Sequence, residues 1–246
     1  MSNYLIAKGS VGAVGYFILG ANIDMKGTPF GIARKYDGTT NRTLQSSTFD
    51  GRNFTVSNVT NTAQNFALFS FANNCTIKNL KMTNFVAQTN MTSPLIEAAY
   101  GNTVISNVFV EGSFNATPTD GAESSLAVGK VGDGAVTLTM TNVYTVLTAT
   151  SFTDYTHFGT HFGEGKASLD GASKTIKATL NNCVALSLID ASTITSTRKL
   201  DLIDSTITGT TRNNAVLITS TTERDALTGH SGSAWDAFKA YTPAQA

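Results

Sequence analysis

One five-residue pattern occurs five times along this chain of 246 residues. Each copy has a β-branched or polar residue, an apolar residue, a polar residue, an asparagine and a second apolar residue. The copies are TVSNV (55–59), TIKNL (76–80), VISNV (104–108), TMTNV (139–143) and TLNNC (179–183). A pattern that recurs in this way indicates that the chain builds the same local structure repeatedly.

The pattern predicts a strand that ends in a corner. The apolar residue before each asparagine is flanked by polar residues, which is the alternation of a strand with one buried face. The asparagine interrupts this alternation, and asparagine suits a corner because it tolerates the left-handed backbone region and can bond nearby backbone. We expect the corner asparagines to stack in a column of amide-to-amide hydrogen bonds. Its predicted members are Asn58, Asn79, Asn107, Asn142 and Asn182.

The spacing of the copies predicts a solenoid. Successive asparagines are separated by 21, 28, 35 and 40 residues, and the shortest interval is interpreted as about one coil. Lengthening intervals are typical of fixed strands joined by loops of variable length. Five Asp-Gly pairs, at 37–38, 50–51, 120–121, 133–134 and 170–171, predict tight turns. The prediction is an all-β, right-handed parallel β-helix over residues 1–220, with about seven coils and ~34 Å of stacked core.

A second internal repeat is formed by LSLIDASTIT and LDLIDSTITG within 186–210, at an offset of 13 to 14 residues. This offset is short for a complete coil. Two interpretations stay open: consecutive faces of the last coils, or a local hairpin.

Residues 221–246 differ in character and predict a short helical segment. Residues 222–227 predict a capped helical turn, and 233–241 predict a short helix with Ser233 as its N-cap. Trp235, Phe238 and Tyr241 would share one face of that helix. This face could form a lid over the unpaired end of the solenoid, or it could dock onto a second subunit.

The first half of the chain also contains longer motifs in a recognisable order. They are YFILGANIDM (16–25), FDGRNFTV (49–56), FALFS (66–70) and TIKNLKM (76–82). These segments resemble GLUG-type repeats of bacterial surface adhesins, with Ala67 and Ser70 replacing the glycines of the family's G-L-F-G segment. The resemblance covers about 100 of the 246 residues. It implies a right-handed parallel β-helix and no catalytic residue, because the family's repeat carries none.

Composition limits the partners and the setting. The 17 basic residues balance 17 acidic ones, and the polar residues are mostly Thr, Ser and Asn. This neutrality argues against a nucleic-acid groove or an acidic-membrane patch, and no apolar run approaches the ~20 residues of a membrane span. The N-terminus lacks a signal-peptide pattern, so we expect a soluble chain made without export. Its expected partners are protein subunits, either its own copies or capsid and tail proteins, or surface glycans.

Few residues suggest chemistry. Cys75 and Cys183 lie in apolar strand patterns and are predicted to be buried free thiols. His157, His161 and Glu164 have a spacing that suits zinc on a helix. Glycines among them disfavour a helix, so we predict a glycine-rich aromatic loop, with no metal and no cofactor.

Two further functions are weighed on the residues. Parallel β-helices also host polysaccharide hydrolases and lyases, which need paired or clustered carboxylates. The acidic residues here are scattered, and the least implausible trio is Asp190, Asp204 and Arg198. Threonine rows such as 137–141 raise the idea of an ice-binding face, although threonine is also a favoured strand residue and unequal loops would interrupt the array.

The sequence therefore predicts a non-catalytic structural or adhesive protein. We expect it on a virion surface, as a capsid decoration, fibre or tail protein, with a homo-oligomer as one arrangement. The alternative is a secreted or cell-surface adhesin module of a bacterium, and a lower alternative is a polysaccharide-active β-helix enzyme.

Overall fold

The computed structural model describes most of the chain, and the fold is stated for those residues. They are 13–29, 43–62, 67–88, 93–115, 124–131, 135–151, 158–163, 175–190, 192, 200–203, 207 and 209–243. The described chain is mostly β with parallel strand pairing, and two short helices follow the last strand. The predicted mostly-β class with parallel sheets is confirmed.

Fifteen strands and two helices make up the described fold. The strands are β1 Tyr16–Ile18, β2 Ile23–Asp24, β3 Thr43–Gln45, β4 Thr48–Asp50, β5 Thr55–Asn61, β6 Phe69–Asn73, β7 Thr76–Ala87, β8 Ile96–Tyr100, β9 Asn102–Phe114, β10 Val128–Val131, β11 Ala135–Thr150, β12 Thr175–Asn181, β13 Val184–Ser187, β14 Thr211–Asn213 and β15 Val216–Ile218. The helices are α1 Thr221–Ala226 and α2 Ser233–Ala240. The last strand ends at Ile218 and the first helix begins at Thr221, and the boundary predicted at residue 220 lies between them.

The strands lie in three ranks of parallel neighbours. Rank 1 is β1, β4, the first parts of β7, β9 and β11, then β12 and β14. Rank 2 is β2, β5, the second parts of β7, β9 and β11, then β13 and β15. Rank 3 is β3, β6, β8 and β10, continued by single bridges at Phe162 and Ile203. The chain visits rank 3, rank 1 and rank 2 in that order and returns one strand further along each time.

The long strands pass from rank 1 to rank 2 through a bend. In β7, β9 and β11 this bend lies at Asn79, Asn107 and Asn142, whose φ angles are 55°, 53° and 53°. A left-handed residue inside a strand turns the chain, and asparagine tolerates this conformation better than most residues. The corner role that the sequence predicted for these asparagines matches their backbone geometry.

The core lies between the three ranks. On the rank 1 side, Phe49, Ile77, Ile105, Met140 and Leu180 are register neighbours in successive strands. Each is at most 1% exposed, and full burial of such a side chain contributes about 1.5–3 kcal/mol. Four of these five residues are the apolar position before the asparagine of the repeated pattern, which therefore lines the interior of the stack.

Other sequence interpretations can be checked against this arrangement. Cys75 and Cys183 are free and buried, as predicted. In the second internal repeat, the first copy contributes to β13 in rank 2, and Ile203 of the second copy bridges Phe162 in rank 3. These positions favour consecutive faces over a local hairpin. Of the five Asp-Gly pairs, Asp50-Gly51 lies in the described residues and begins a turn closed by the Phe54 N–H donating to the Gly51 carbonyl at 2.9 Å.

Candidate functional site

A column of amide side chains follows the bend between ranks 1 and 2. The Asn107 Nδ2 donates to Asn79 Oδ1 at 2.8 Å, and the Asn79 Nδ2 donates to Asp50 Oδ1 at 3.0 Å. Further along, the Asn214 Nδ2 donates to Asn182 Oδ1 at 3.1 Å. Strand register places Asn142 between Asn107 and Asn182. Four of the five predicted asparagines therefore share one column.

Asn58 lies in a different column, which corrects the prediction of a single one. The register of β5 with β7 aligns it with Asn84, and the Asn84 Nδ2 donates to Asn58 Oδ1 at 2.7 Å. The Asn58 Nδ2 in turn donates to Asp24 Oδ1 at 2.8 Å. One strand can hold two corners with left-handed backbone, as β7 does at Asn79 and Asn84. The interval of 21 residues between Asn58 and Asn79 joins two such corners, so it is not the length of one coil.

Both columns end on a carboxylate, which can only accept hydrogen bonds. Burial opposes ionisation of Asp50, but donors outweigh it: the Asn79 amide, the Arg52 N–H and the Tyr16 hydroxyl, together with Lys78, lower the pKa of Asp50 to about 2. The pKa of Asp24 is lowered by the Asn58 amide and the Lys26 N–H. Asn79 and Asn107 in the first column, and Asn58 and Asn84 in the second, each donate to the preceding member of their column. An acceptor at that end therefore completes the chain of donors.

The sequence interpretation missed several column members, although patterns for them were present. Thr211-Arg212-Asn213-Asn214 repeats the Thr-x-Asn-Asn of 179–182, and Thr83-Asn84-Phe85 repeats the end of the pattern. Asp50 belongs to the Asp-Gly turn and is not an asparagine, so the repeated pattern does not identify it. Only strand register identifies it as the terminal acceptor of the first column.

The first column also anchors helix α2. The Ala234 N–H donates to Asn107 Oδ1 at 3.2 Å, and the Asn107 Nδ2 lies 3.2 Å from Ser233 Oγ. Ser233 Oγ donates to Asn53 Oδ1 at 2.5 Å. The N-cap residue is Gly232, which corrects the prediction of Ser233, and it makes no side-chain cap bond. An asparagine of the column therefore satisfies an N–H group at the start of the helix.

Residues 219–243, here called the C-terminal strap, cover the outer side of rank 2 along β9, β11 and β13. Trp235 and Phe238 are 9% and 0% exposed. They pack against a set of outward-facing residues called the apolar strip: Phe109, Tyr144, Val146, Val184, Leu186 and Ile218. The two interpretations of the helical face, a lid over the solenoid end and a docking surface, are both corrected. The face is buried against the flank of the same chain, because these strands are apolar on their outer side as well.

The strap is held together internally by a buried arginine. Arg224 is 7% exposed, and its guanidinium donates to the carbonyls of Phe238 and Tyr241 at 3.3 and 2.5 Å. Asp225 pairs with both Arg224 and Lys239. Tyr241 packs beside the buried aromatic residues as a partly buried side chain. These bonds tie α1 to the end of α2, so the strap forms one unit.

His161 is a core residue. It is 0% exposed, and its Nε2 lies 3.0 Å from the Val143 carbonyl. A carbonyl can only accept, so Nε2 carries the hydrogen and Nδ1 can accept from Thr145 Oγ1 or Thr160 Oγ1, each at 3.4 Å. Burial lowers the pKa of His161 to about 4. This neutral histidine serves as a hydrogen-bonding group inside the stack.

The remaining candidates for chemistry are not brought together in the described chain. His157, Glu164, Asp204 and Arg198 lie outside the described residues. Asp190 is exposed and accepts a hydrogen bond from the Ser192 N–H at 2.8 Å. Within the described ranges, no group of three or more His, Cys, Asp or Glu side chains is placed to hold a metal ion, and no helix is long and apolar enough to cross a membrane.

The outward row of rank 1 is rich in threonine. Register neighbours in this row are Tyr16, Thr48, Thr76, Val104, Thr139, Thr179 and Thr211. The next outward row includes Asp50 and Lys78, which form an ion pair at 3.5 Å. The valine and the charged pair interrupt a uniform threonine array, which weighs against the ice-binding interpretation.

Comparison with protein-family models, curated proteins and solved structures returns no match for this chain. The resemblance to GLUG-type repeats stays a prediction made from the sequence.

The link between the first column and the strap can be tested at Asn107. Glycine keeps the left-handed φ of 53° without strain, so Asn107→Gly removes only the amide bonds, at an expected cost of about 1–2 kcal/mol. Asn107→Ala should cost about 1 kcal/mol more, because a side chain disfavours this conformation. Urea unfolding would measure both variants.

The matched control is Asn142→Gly, at the same bend in the next strand. We expect Asn107→Gly to loosen the strap, measured by the emission of Trp235, and Asn142→Gly to leave that emission unchanged. Equal effects of the two glycine variants on Trp235 would contradict the anchoring role of Asn107.

Proposed function

We propose that this chain is a right-handed parallel β-helix that serves as a non-catalytic structural and adhesive element. The three parallel ranks, visited in a constant order, support the β-helix. Right-handedness follows from the strong preference of parallel crossover connections for that hand. The short helices then form a flank cover at the C-terminus.

The amide columns are the observation that carries the structural role. Asn79 bonds both of its column neighbours, Asp50 and Asn107. Asn107 bonds Asn79 on one side and also accepts from the Ala234 N–H of helix α2. Their hydrogen-bonding capacity is used between windings, which leaves little of it for a substrate. Such columns stabilise a rigid rod, a shape suited to display and attachment.

The outer side of rank 1 is the surface that best fits an adhesive role. The strap covers the outer side of rank 2 along β9, β11 and β13, and in rank 3 Ser70, Glu97 and Ala98 are at most 1% exposed. The threonine row of rank 1, in contrast, is exposed or half-buried, with Tyr16 62% exposed at one end. Rows of hydroxyl and amide groups with few charges suit neutral, hydroxyl-rich partners such as glycans.

A binding experiment tests this surface. Purified protein would be applied to arrays of neutral and acidic glycans, and retention of the neutral class is expected. The double variant Thr139→Lys/Thr179→Lys places two charges in the threonine row and should abolish retention. Ser57→Lys, which adds a charge to the outer side of rank 2, is the matched control and should bind as the parent does. Equal binding by all three proteins would refute the role of rank 1.

The same experiment addresses the enzyme alternative, since release of reducing ends from any glycan would contradict a non-catalytic role. For the setting, we propose the surface of a virus particle. Immunogold labelling of virions is the expected result. Labelling confined to bacterial envelopes would favour the adhesin alternative.

A further inference from the structure

The apolar strip on rank 2 depends on the strap for its burial. Its residues project from the stack toward the helices, since their strand neighbours Val108, Val143 and Cys183 point into the core. Even so, Phe109, Tyr144 and Val184 are at most 2% exposed. Removing the strap would therefore expose a continuous apolar surface, of a kind that mediates association between proteins.

One titratable side chain lies in the aromatic contact between the strap and the strip. The ring of His230 stacks on Trp235 with centroids 4.7 Å apart and meets the edge of Tyr144 at 5.7 Å. Its Nδ1 lies 3.4 Å from the Tyr144 hydroxyl. Its Nε2 is buried and makes no hydrogen bond of ordinary geometry among the described residues, although the backbone of Asn182 favours the charged ring.

This geometry favours the neutral imidazole. With His230 neutral, Nδ1 can accept from the Tyr144 hydroxyl, whereas protonation makes both ring nitrogens donors and leaves that hydroxyl hydrogen without its acceptor. A protonated ring would also place a charge at the buried Nε2. Burial lowers the pKa of His230, and the backbone of Asn182 offsets only part of this effect.

The groups around His230 do not offset the cost of protonating its ring. The groups that face His230 are the Tyr144 hydroxyl from β11, the Asn182 backbone from the β12–β13 corner and the Trp235 ring from α2; no carboxylate of the described residues acts on it. Of the carboxylates around the strap, Glu111 acts on Tyr241 at the far end of the helix, and Asp236 follows Trp235 in the first turn of α2. The face of Trp235 attracts a cation. This attraction offsets part of the cost of losing the Tyr144 bond and of burying a charge.

We propose that the strap is an acid-releasable cover: protonation of His230 detaches residues 219–243 from rank 2 and uncovers the apolar strip while the stack stays folded. The sign follows from linkage. The ordinary histidine pKa is 6.5, and docking lowers it, so the released strap binds the proton more tightly. The ratio of released to docked strap rises by up to about tenfold for each pH unit below 6.5, until the docked pKa is reached.

Trp235 makes this proposal testable, because it is the single tryptophan of the chain. Its emission reports the strap, and far-UV circular dichroism reports the strands. On titration from pH 8 to pH 4.5, we expect the emission to shift to the red, and a dye that binds apolar surface to gain fluorescence, at a higher pH than any loss of strand signal. His230→Gln should remove the shift, and Glu111→Gln should retain it.

Several outcomes would overturn the proposal. They are an emission that does not change or shifts to the blue, a shift that coincides with loss of the strands, and a His230→Gln protein that keeps the parent's pH dependence. If His230→Gln is undocked at every pH, the C2 proton of His230 in the parent protein, followed by NMR, decides. Its titration must coincide with the Trp235 shift for the proposal to stand.

Discussion

Replacing Gly163 by alanine is expected to destabilise the protein by about 3 kcal/mol. A Cβ at this position would lie 2.5 Å from the Gly129 carbonyl oxygen and even closer to that of Ser124. Both obstacles are backbone atoms of the preceding winding, and the Gly163 N–H donates to the Val128 carbonyl at 2.9 Å. The winding cannot retreat without losing that bond, so the clash must separate two windings of rank 3.

Urea unfolding followed by far-UV circular dichroism would measure the loss. Gly20→Ala is the matched control, because nothing lies within 4 Å of an added Cβ there, and its effect should stay within about 0.5 kcal/mol. If Gly163→Ala were as stable as Gly20→Ala, the close packing of this winding on the one before it would be wrong.

Acid should remove about 3 kcal/mol of stability between pH 6.5 and pH 4 through His161. The folded protein holds the pKa of this buried ring at about 4, against 6.5 for an ordinary histidine. The unfolded chain therefore binds the proton first as pH falls. The stability contributed by the neutral ring is complete above pH 6.5, declines below it and is lost once the pH passes the folded pKa.

His161→Gln should flatten this dependence. The variant is expected to be less stable than the parent at pH 7, because glutamine cannot reproduce both bonds to Val143 and Thr145. Its unfolding free energy should depend less on pH than the parent's between pH 7 and pH 4, with His230 as the remaining described histidine whose folded pKa is lowered. Asp50 interferes little in this range, since its own contribution to stability is lost between its ordinary pKa of 3.8 and its folded pKa of about 2. A parent protein with constant stability from pH 7 to pH 4 would rule out the buried neutral histidine.

The sequence identified the corner residues better than it identified their columns. Left-handed backbone is a local property, and the asparagine in each copy of the pattern indicates it directly. Asn58 and Asn79 look alike in sequence because each stands at such a bend. Which asparagines stack depends on strand register between windings, and loops of different length hide that register.

The strap illustrates a second limit. The short helix at 233–240 and its apolar face followed from local pattern, but its position did not. The apolar runs around Phe109, Tyr144 and Val184 lack the alternation of a strand with one solvent-exposed face, which indicates burial on both sides. That feature could have directed the helix to the flank of rank 2. Its capping by Asn107, 127 residues away along the chain, could not be read from sequence.

The amino-acid sequence by itself determined the mostly-β class, the bends at asparagine and the buried thiols, because each of these depends on side-chain periodicity or on the conformational preference of a single residue. Only the tertiary structure decided that Asp50 ends one column and Asp24 the other, that His161 lies in the core, and that Trp235 and Phe238 cover rank 2. These features join residues far apart in the chain, and their energies depend on distances that form only after the windings have stacked.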